Sequence, residues 1–326
     1  MAAYKSGKHD GGVAMGAVMK RDMHDQTHII SSILDCIGNT PLLDLGEGIY
    51  AKAEYFNPSG SVKARMAKFV VERAEQKGLL KPGYTIVEAT SGNTGNALSM
   101  IAAAKGYKMI VIMPEGYSNE RLKISRGFGA EVKFVGHFQV NDARALAISM
   151  GKQPGFYCPA QFDNEWNVEE NREWLGREVI AQLPEGFIFD AIVQGVGTGG
   201  TLIGTAQALK KWHNPKIKVF AMEPSESRTL ECCIVCDHRI EGISDGFVPT
   251  IYERHKGEID HIISVDSHVA IEMAQKMARE KGLFVGPSSG GNYWAALEIR
   301  RRDPSVKNVL TFLCDRGEKY LSMMYS

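Results

Sequence analysis

The chain lacks a dominant sign of charge, a long apolar run and a disulfide framework. Its 38 acidic side chains balance 38 lysines and arginines, so no electrostatic argument points to nucleic acid or a membrane surface as a partner. No stretch reaches the roughly 18 consecutive apolar residues of a membrane-spanning helix. Six cysteines in 326 residues are too few for a secreted disulfide scaffold and favour a cytoplasmic protein. The remaining composition, 44% hydrophobic and 23% charged, is typical of a globular protein.

The order of apolar and polar segments predicts the fold class. Residues 1–28 have no apolar core of a targeting signal and are predicted to be a flexible tail. From Ile29 onward, strand patterns alternate with helix patterns in two series, one before and one after about Gln161. Such alternation indicates an α/β protein with two mostly parallel sheets, flanked by helices and separated by a cleft.

Individual segments carry further predictions. The run Lys108–Met113 is apolar without alternation, which predicts a strand buried on both faces. Residues 169–182 are predicted to form one helix, residues 283–285 a short strand, and residues 223–258 mostly irregular structure.

Two glycine-containing loops follow predicted strands and lead into predicted helices. The first is Ser91–Gly95, after the β-branched run Thr85–Thr90, and the second is Gly195–Thr201. A strand, a tight loop and a helix N-terminus together aim free backbone N–H groups outward, which suits an anion. With the amine of Lys63 upstream, these loops suggest a phosphorylated carbonyl cofactor that is held covalently.

The second loop has alternative interpretations. Gly195, Gly197 and Gly200 match the spacing of a dinucleotide fingerprint, and Glu223 ends the next predicted strand, where an acid could bind a ribose. The hydroxyls of Thr198 and Thr201, beside glycine N–H groups, suit a terminal phosphate equally well. A third interpretation is a tight turn that binds no ligand.

Lys63 follows a Gly-Ser turn at the predicted start of a helix. Most lysines in helices are solvated surface charges. At a helix N-terminus, however, the macrodipole disfavours a cation and lowers the pKa of an amine, as a Schiff-base lysine requires.

Eight motifs occur in a fixed order over nearly the whole chain: SGSVKARMA, VEATSGNTGNALSMIAAAKGY, QFDN, GVGTGGT, MEPSES, IEGISDGFVP, VGPSSGG and DRGEKYLS. Together they resemble the pyridoxal-phosphate-dependent cysteine synthase and cystathionine β-synthase family of fold type II. The resemblance implies a tryptophan synthase β-like architecture with the cofactor in the cleft. It also implies a larger cofactor-binding domain over residues 29–55 and 163–326, a smaller mobile substrate-binding domain over residues 56–162, and a homodimer.

The resemblance also implies roles for individual residues. Lys63 looks like the catalytic lysine that binds the cofactor covalently. The other cofactor-binding residues implied are Asn93 for the phenolic oxygen, Gly197, Thr198, Gly199, Gly200 and Thr201 for the phosphate, and Ser288 for the pyridine nitrogen. The substrate-binding residues implied are Thr90, Ser91, Gly92, Thr94 and Gln161 for the α-carboxylate, with Gly242, Ser244 and Asp245 in a loop that borders the substrate. Taken alone, Ser288 would be interpreted as a helix N-cap.

The implied reaction is β-replacement on a serine- or cysteine-type amino acid through an aminoacrylate intermediate. In the leading interpretation, O-acetylserine or another activated serine reacts with sulfide or a thiol. Within the fold, the alternatives are a cysteine lyase or desulfhydrase that releases hydrogen sulfide, a cystathionine β-synthase-like enzyme, and diaminopropionate-type chemistry. Outside it, a nicotinamide-dependent oxidoreductase and a cofactor-free binding protein remain.

Three places depart from the family pattern. Ala64 stands where the family usually has aspartate, which predicts a local change rather than lost activity. Ser244 and Asp245 replace a glycine and an alanine, which either alters the choice of substrate or nucleophile or leaves Asp245 facing solvent. Cys232, Cys233 and Cys236 lie in a segment that is glycine- and proline-rich in relatives; we expect a surface or lid loop with free thiols and no metal, although the spacing invites a metal interpretation.

Overall fold

The computed structural model describes residues 29–116, 118–137 and 140–325. The predicted tail, residues 1–28, lies outside the described residues. The ten strands are β1 (Leu42–Asp44), β2 (Ile49–Lys52), β3 (Thr85–Ala89), β4 (Lys108–Glu115), β5 (Glu131–His137), β6 (Phe156–Tyr157), β7 (Ala191–Gly195), β8 (Lys218–Pro224), β9 (His261–Val265) and β10 (Val309–Phe312).

Helices surround these strands. They are α1 (Lys63–Gln76), α2 (Asn93–Lys105), α3 (Asn119–Gly127), α4 (Val140–Gly151), α5 (Trp166–Glu170), α6 (Gly176–Ala181), α7 (Gly200–Trp212), α8 (Thr229–Cys232), α9 (Thr250–His255), α10 (Ser267–Lys281), α11 (Pro287–Arg302) and α12 (Leu321–Met324). Among the described helices, none is long and apolar enough to cross a membrane.

The strands form two sheets, which confirms the predicted α/β class. One has six strands in the order β1-β2-β10-β7-β8-β9, and the other has four in the order β5-β4-β3-β6. Every pairing is parallel except that of β1 with β2. The strands of the four-stranded sheet all lie between residues 85 and 157. The domain boundaries and the mobility of the smaller domain stay predictions.

The central strands are buried on both faces. In β4, Met109 and Val111 pack into one apolar cluster while Ile110 and Ile112 pack into another. This arrangement confirms the prediction made from the unbroken apolar run, because a parallel sheet covered by helices has no solvent-facing side.

Two segments differ from the predictions. The helix predicted over residues 169–182 is α5 and α6 joined by one turn of π-helix, Asn171–Leu175. Residues 223–258 are mostly irregular, as predicted, and contain the short helices α8 and α9. The strand predicted at residues 283–285 is reduced to a single bridge between Val285 and Arg316.

A buried ionic cluster holds the first turns of α1. The guanidinium of Arg65 donates to the carboxylates of Glu54, at 2.7 and 2.9 Å, and of Glu178, at 2.8 Å. Lys52 also binds Glu178, so two cations face two carboxylates. These partners lower the pKa of Glu178 to about 2 against the opposing effect of burial. Arg65 is thus held in place by residues outside α1.

The chain after β10 passes beside the start of α1. Val62 N–H donates to Cys314 O at 2.9 Å, and Arg316 N–H donates to Gly60 O at 3.2 Å. These bonds fix the turn just before Lys63, so the position of that side chain depends on a segment 250 residues away in sequence.

Glu170, the last residue of α5, provides a test of this core. Its side chain is fully buried, and neither carboxyl oxygen has a hydrogen-bond partner among the described residues. Burial, the largest cause, raises its pKa from 4.5 to about 8. Between pH 4.5 and 8 the unfolded chain releases this proton while the folded chain keeps it, so the group lowers stability progressively as pH rises.

We therefore expect Glu170→Gln to raise the melting temperature relative to wild type, with a difference that grows from pH 5 to pH 8. Thermal unfolding across this range measures it. The exposed Glu185→Gln should shift the free energy of unfolding by no more than about 0.5 kcal/mol. A difference independent of pH would contradict the assignment.

Candidate active site

A cavity lies where α1, α2, α7 and α11 begin. It contains about 660 Å³ of empty space, part of it open to solvent. Thirteen of the sixteen predicted site residues line it: Lys63, Thr90, Ser91, Asn93, Thr94, Gln161, Gly197, Thr198, Gly199, Thr201, Gly242, Asp245 and Ser288. Gly92, Gly200 and Ser244 lie beside lining residues without facing the cavity. Gly195, the first residue of the second glycine loop, also lines it, and the lining residues for which the sequence predicted no role are Val62, Phe162, Gln194, Leu202, Glu241, Ile243 and Cys314.

Lys63 is the first residue of α1, and its half-buried side chain lines the cavity. Its pKa is lowered, mainly because burial disfavours the ammonium. Cys314, Asp245 and Asp315 act in the opposite direction. The direction is the one that the sequence predicts, but desolvation is the largest cause. The neutral form of the amine is therefore more favoured at this site than it is for a lysine side chain in water.

The loop between β7 and α7 forms a cradle of backbone N–H groups. Gly199 is the N-cap of α7, with a φ of +90°, and provides no side-chain cap. A Cβ at Gly197 would lie 2.5 Å from Gly242 O, so the two loops approach as closely as glycine allows. Thr198 and Thr201 bring hydroxyl groups to the same place. These donors fit a phosphate.

Glu223 does not support a dinucleotide site. Its buried carboxylate accepts the N–H groups of Leu230 and Glu231, at 2.7 and 3.3 Å. It thereby stabilises the first turn of α8 and does not line the cavity. The acid that would bind a ribose is engaged elsewhere.

The loop between β3 and α2 provides a second set of donors. Gly92 has a φ of +149°, and a Cβ there would lie 2.4 Å from Cδ of the buried Arg121. The hydroxyl of Thr94 donates to Gln161 Oε1 at 2.5 Å, and Gln161 Nε2 donates to Ala89 O at 2.7 Å. Thr94 and Gln161, although 67 residues apart, thus form one contact pair in the cavity wall.

Asn93, the first residue of α2, is held by the chain near its C-terminus. Its Oδ1 accepts from Lys319 Nζ at 2.7 Å, and its Nδ2 donates to Asp315 Oδ2 at 2.6 Å. An ammonium can only donate and a carboxylate can only accept, so the orientation of this amide is fixed. Burial lowers the pKa of Lys319 to about 8.

Uncharged groups meet at Ser288, near the start of α11. The thiol of Cys314 accepts from Gln194 Nε2 at 3.2 Å and from Asn292 Nδ2 at 3.4 Å, and it interacts with the hydroxyl of Ser288. Burial raises the pKa of Cys314 to about 11, so the thiol is protonated at neutral pH. A ring nitrogen bound by Ser288 would meet neutral neighbours.

Asp245 lines the cavity and is half-buried. Burial raises its pKa, against the favourable charges of His238, Arg121 and Lys63 and a hydrogen bond with Ser91. Ser244, with a φ of +49°, has its hydroxyl buried without a hydrogen-bond partner among the described residues. Asp245 and Lys63 therefore line the same cavity.

The cysteine segment lies on the surface. Cys232 ends α8, Cys233 has a φ of +58°, and both are exposed together with Cys236. Within residues 29–116, 118–137 and 140–325, no three metal-ligating side chains come together in a geometry that could hold a metal ion.

Comparisons with known proteins agree with this geometry. A family model described as "Pyridoxal-phosphate dependent enzyme" matches residues 33–315. The chain is 40% identical to O-ureido-L-serine synthase of Streptomyces lavendulae, over 90% of this chain and 92% of the relative. It is 39% identical to cysteine synthase of Staphylococcus aureus, over 90% and 96% respectively. A crystal structure of a hydrogen sulfide-producing enzyme from Fusobacterium nucleatum superimposes with a TM-score of 0.83 at 34% identity, covering 90% of this chain and all of that one.

The close approach of the two glycine loops can be tested directly. Because a Cβ at Gly197 would meet a backbone oxygen rather than a mobile side chain, Gly197→Ala should lower the free energy of unfolding by about 1–3 kcal/mol. Urea unfolding measures the loss. Gly127→Ala, where a Cβ meets nothing within 4 Å, is the matched control and should leave stability nearly unchanged. Equal behaviour of the two variants would contradict the cradle geometry.

Proposed function

The chain belongs to the pyridoxal-phosphate dependent enzyme family, and we propose that it joins an activated L-serine to sulfide or a thiol, as a cysteine synthase does. PLP-dependent β-replacement and elimination are the chemistry of its relatives. One observation carries the proposal: the amine of Lys63 shares a single cavity with two helix N-termini whose N-cap residues are glycines. Such a cavity holds one amine-reactive group and two anions, a phosphate and a carboxylate.

The residues present fit the cofactor. The phosphate would be held by Gly197, Thr198, Gly199, Gly200 and Thr201. Gly197 and Gly200 have no room for a Cβ atom, so the donors in this loop are backbone N–H groups and the hydroxyls of the two threonines. We propose that Asn93 and Ser288 bind the ring oxygen and the ring nitrogen, respectively. When bound, pyridoxal phosphate supplies an aldehyde for an amine and a ring that withdraws electrons from Cα.

Lys63 acts as the base and acid. As a neutral amine it accepts the proton from Cα of the substrate, and as an ammonium it returns a proton when the product forms. Desolvation lowers its pKa, which favours the neutral form, while the carboxylates of Asp245 and Asp315 keep protonation accessible. The same side chain can therefore serve both steps.

The substrate carboxylate belongs at the start of α2. Thr90, Ser91, Gly92, Thr94 and Gln161 surround a helix N-terminus whose N–H groups and dipole favour a negative charge. The hydroxyl of Thr94 has one hydrogen, so the Thr94–Gln161 hydrogen bond must break when Thr94 donates to the carboxylate. Substrate binding would therefore change the contact between these two residues in the cavity wall.

Ser288 determines what happens after proton removal. A serine hydroxyl and a protonated thiol do not hold a proton on a ring nitrogen as an aspartate would. The electrons left at Cα then remain available to expel a substituent from Cβ. This preference suits replacement or elimination at Cβ better than transamination.

The position of Asp245 favours a second candidate function. In this reaction hydrogen sulfide is eliminated, and water or another O–H or N–H nucleophile is added. A carboxylate in the cavity repels hydrosulfide anion and accepts hydrogen bonds from neutral donors. One relative is an O-ureido-L-serine synthase and one structural neighbour a hydrogen sulfide-producing enzyme by name. Gly242 and Ser244 would shape this side of the substrate site.

We also propose a homodimer in the cytoplasm. The family resemblance supports the dimer, and the six free thiols support a reducing compartment. Light scattering on the purified protein measures the assembly state.

Lys63→Ala should abolish the visible absorbance near 410–420 nm, which borohydride also erases, and should lower turnover by roughly three orders of magnitude or more. Turnover is measured as product from O-acetylserine, O-phosphoserine, serine or cysteine, each with and without sulfide. Lys68→Ala, on the same helix but bonded to Leu34 O, is the control and should retain both properties. Full turnover by Lys63→Ala would overturn the assignment.

Asp245→Asn should shift the product ratio toward sulfide addition by several-fold, because it removes the negative charge but keeps the shape. The ratio of cysteine to serine formed from one activated serine, with sulfide present, measures the shift. Asp237→Asn, an exposed change in the preceding segment, should leave the ratio unchanged. An unchanged ratio in Asp245→Asn would contradict a role of Asp245 in selecting the nucleophile.

A further inference from the structure

Asn167, in α5, lies directly behind the cavity. Its side chain is 2% exposed and is not among the residues that line the cavity. Its Nδ2 donates to Gln161 O and to Thr198 Oγ1, both at 3.0 Å. A carbonyl oxygen can only accept, so the nitrogen of the amide must face this side.

The surroundings of Asn167 fix it further. Asn171, which begins the π-helical turn, donates from Nδ2 to Asn167 O at 2.7 Å. A Cβ at Gly200 would lie only 2.2 Å from Asn167 Oδ1, so α7 approaches this side chain through a glycine. Asn167 is therefore wedged between the π-helical turn and the start of α7.

The consequence appears at Thr198. Its hydroxyl oxygen accepts from Asn167 Nδ2 at 3.0 Å and from Gly200 N–H at 3.3 Å. A hydroxyl has two acceptor lone pairs and one hydrogen. With both lone pairs engaged, the hydrogen remains to donate, and Thr198 lines the cavity.

We propose that Asn167 is a positioning residue for the phosphate group: it holds the hydroxyl of Thr198 as a donor toward an anion in the cavity. The inference rests on the proposed cofactor site and adds a residue outside it. The other hydrogen of the same nitrogen binds Gln161, whose side chain pairs with Thr94. Asn167 thus also joins the loop after β7 to the loop after β3.

The test is a double-mutant cycle on cofactor affinity. Asn167→Leu and Thr198→Val, alone and together, are titrated as cofactor-free protein with pyridoxal phosphate and, separately, with pyridoxal, which lacks the phosphate. Each single change should weaken pyridoxal phosphate binding by roughly ten- to a hundredfold, the range for a hydrogen bond to a charged group. Because Asn167 acts through the hydroxyl of Thr198, the double variant should bind no more weakly than Thr198→Val alone. Pyridoxal affinity should change less than about twofold.

Matched variants separate positioning from folding. Thr198→Ser keeps the hydroxyl and should keep the affinity. Asn214→Ala removes an asparagine whose Nδ2 donates to Phe189 O, at the far end of α7 and about 20 Å away by helix length, and should lower stability without changing affinity. If Asn167→Leu does not fold, Asn167→Asp, which keeps the shape but not the donor, takes its place in the cycle.

The outcomes are distinguishable. Additive losses in the double variant, or equal losses for pyridoxal and its phosphate, would overturn the role of Asn167 and leave the proposed function standing. Failure of the wild type to bind pyridoxal phosphate would overturn both.

Discussion

Four helices, α1, α2, α7 and α11, begin at one cavity, and within the described part of the chain none of their N-cap residues provides a side-chain cap. Each N-terminus brings the positive end of a peptide dipole to the cavity. The resulting potential favours anions and adds to the desolvation that disfavours the ammonium of Lys63. The proposed anion sites and the proposed reactive amine thus have one common physical origin, which is the parallel sheet topology that brings these helix starts together.

Buried polar contacts hold the starts of these helices in place around the cavity. Arg65 lies between Glu54 and Glu178 on the side of the six-stranded sheet. Lys319 binds Asn93 of α2 and also Ser59 O, in the turn before α1. These charged side chains are almost fully buried. Each must keep its hydrogen-bond partners, since an unpaired buried charge costs far more than the pair contributes. The geometry of the site is therefore as strongly determined as the core.

Local patterns predicted the sheet strands and the two glycine loops, because strand propensity, glycine and helix starts act within a few residues. Apart from Lys63, the other predicted residues that line the cavity came from the family resemblance instead. The π-helical turn at Asn171 was not predictable, since it depends on how α7 packs against α5. Glu223 showed the same limit: its position suited a ribose, but only the tertiary fold reveals that α8 uses its carboxylate. No role was predicted for Cys314, although it lies just after a buried strand and directly before the DRGEKY motif.

The division between fixed and variable parts of the cavity explains how its chemistry and its specificity can change separately. Gly92, Gly197 and Gly200 admit no side chain, because backbone or buried groups stand within 2.5 Å of where each Cβ would be. Asp245 lies instead between β8 and β9, in a segment without sheet pairing, where Gly242 has open space around its own Cβ position. A substitution at residue 245 can therefore place or remove a charge beside Lys63 without changing any strand pairing. In the proposed function, residue 245 selects the nucleophile, whereas Lys63 and the two glycine loops activate Cβ.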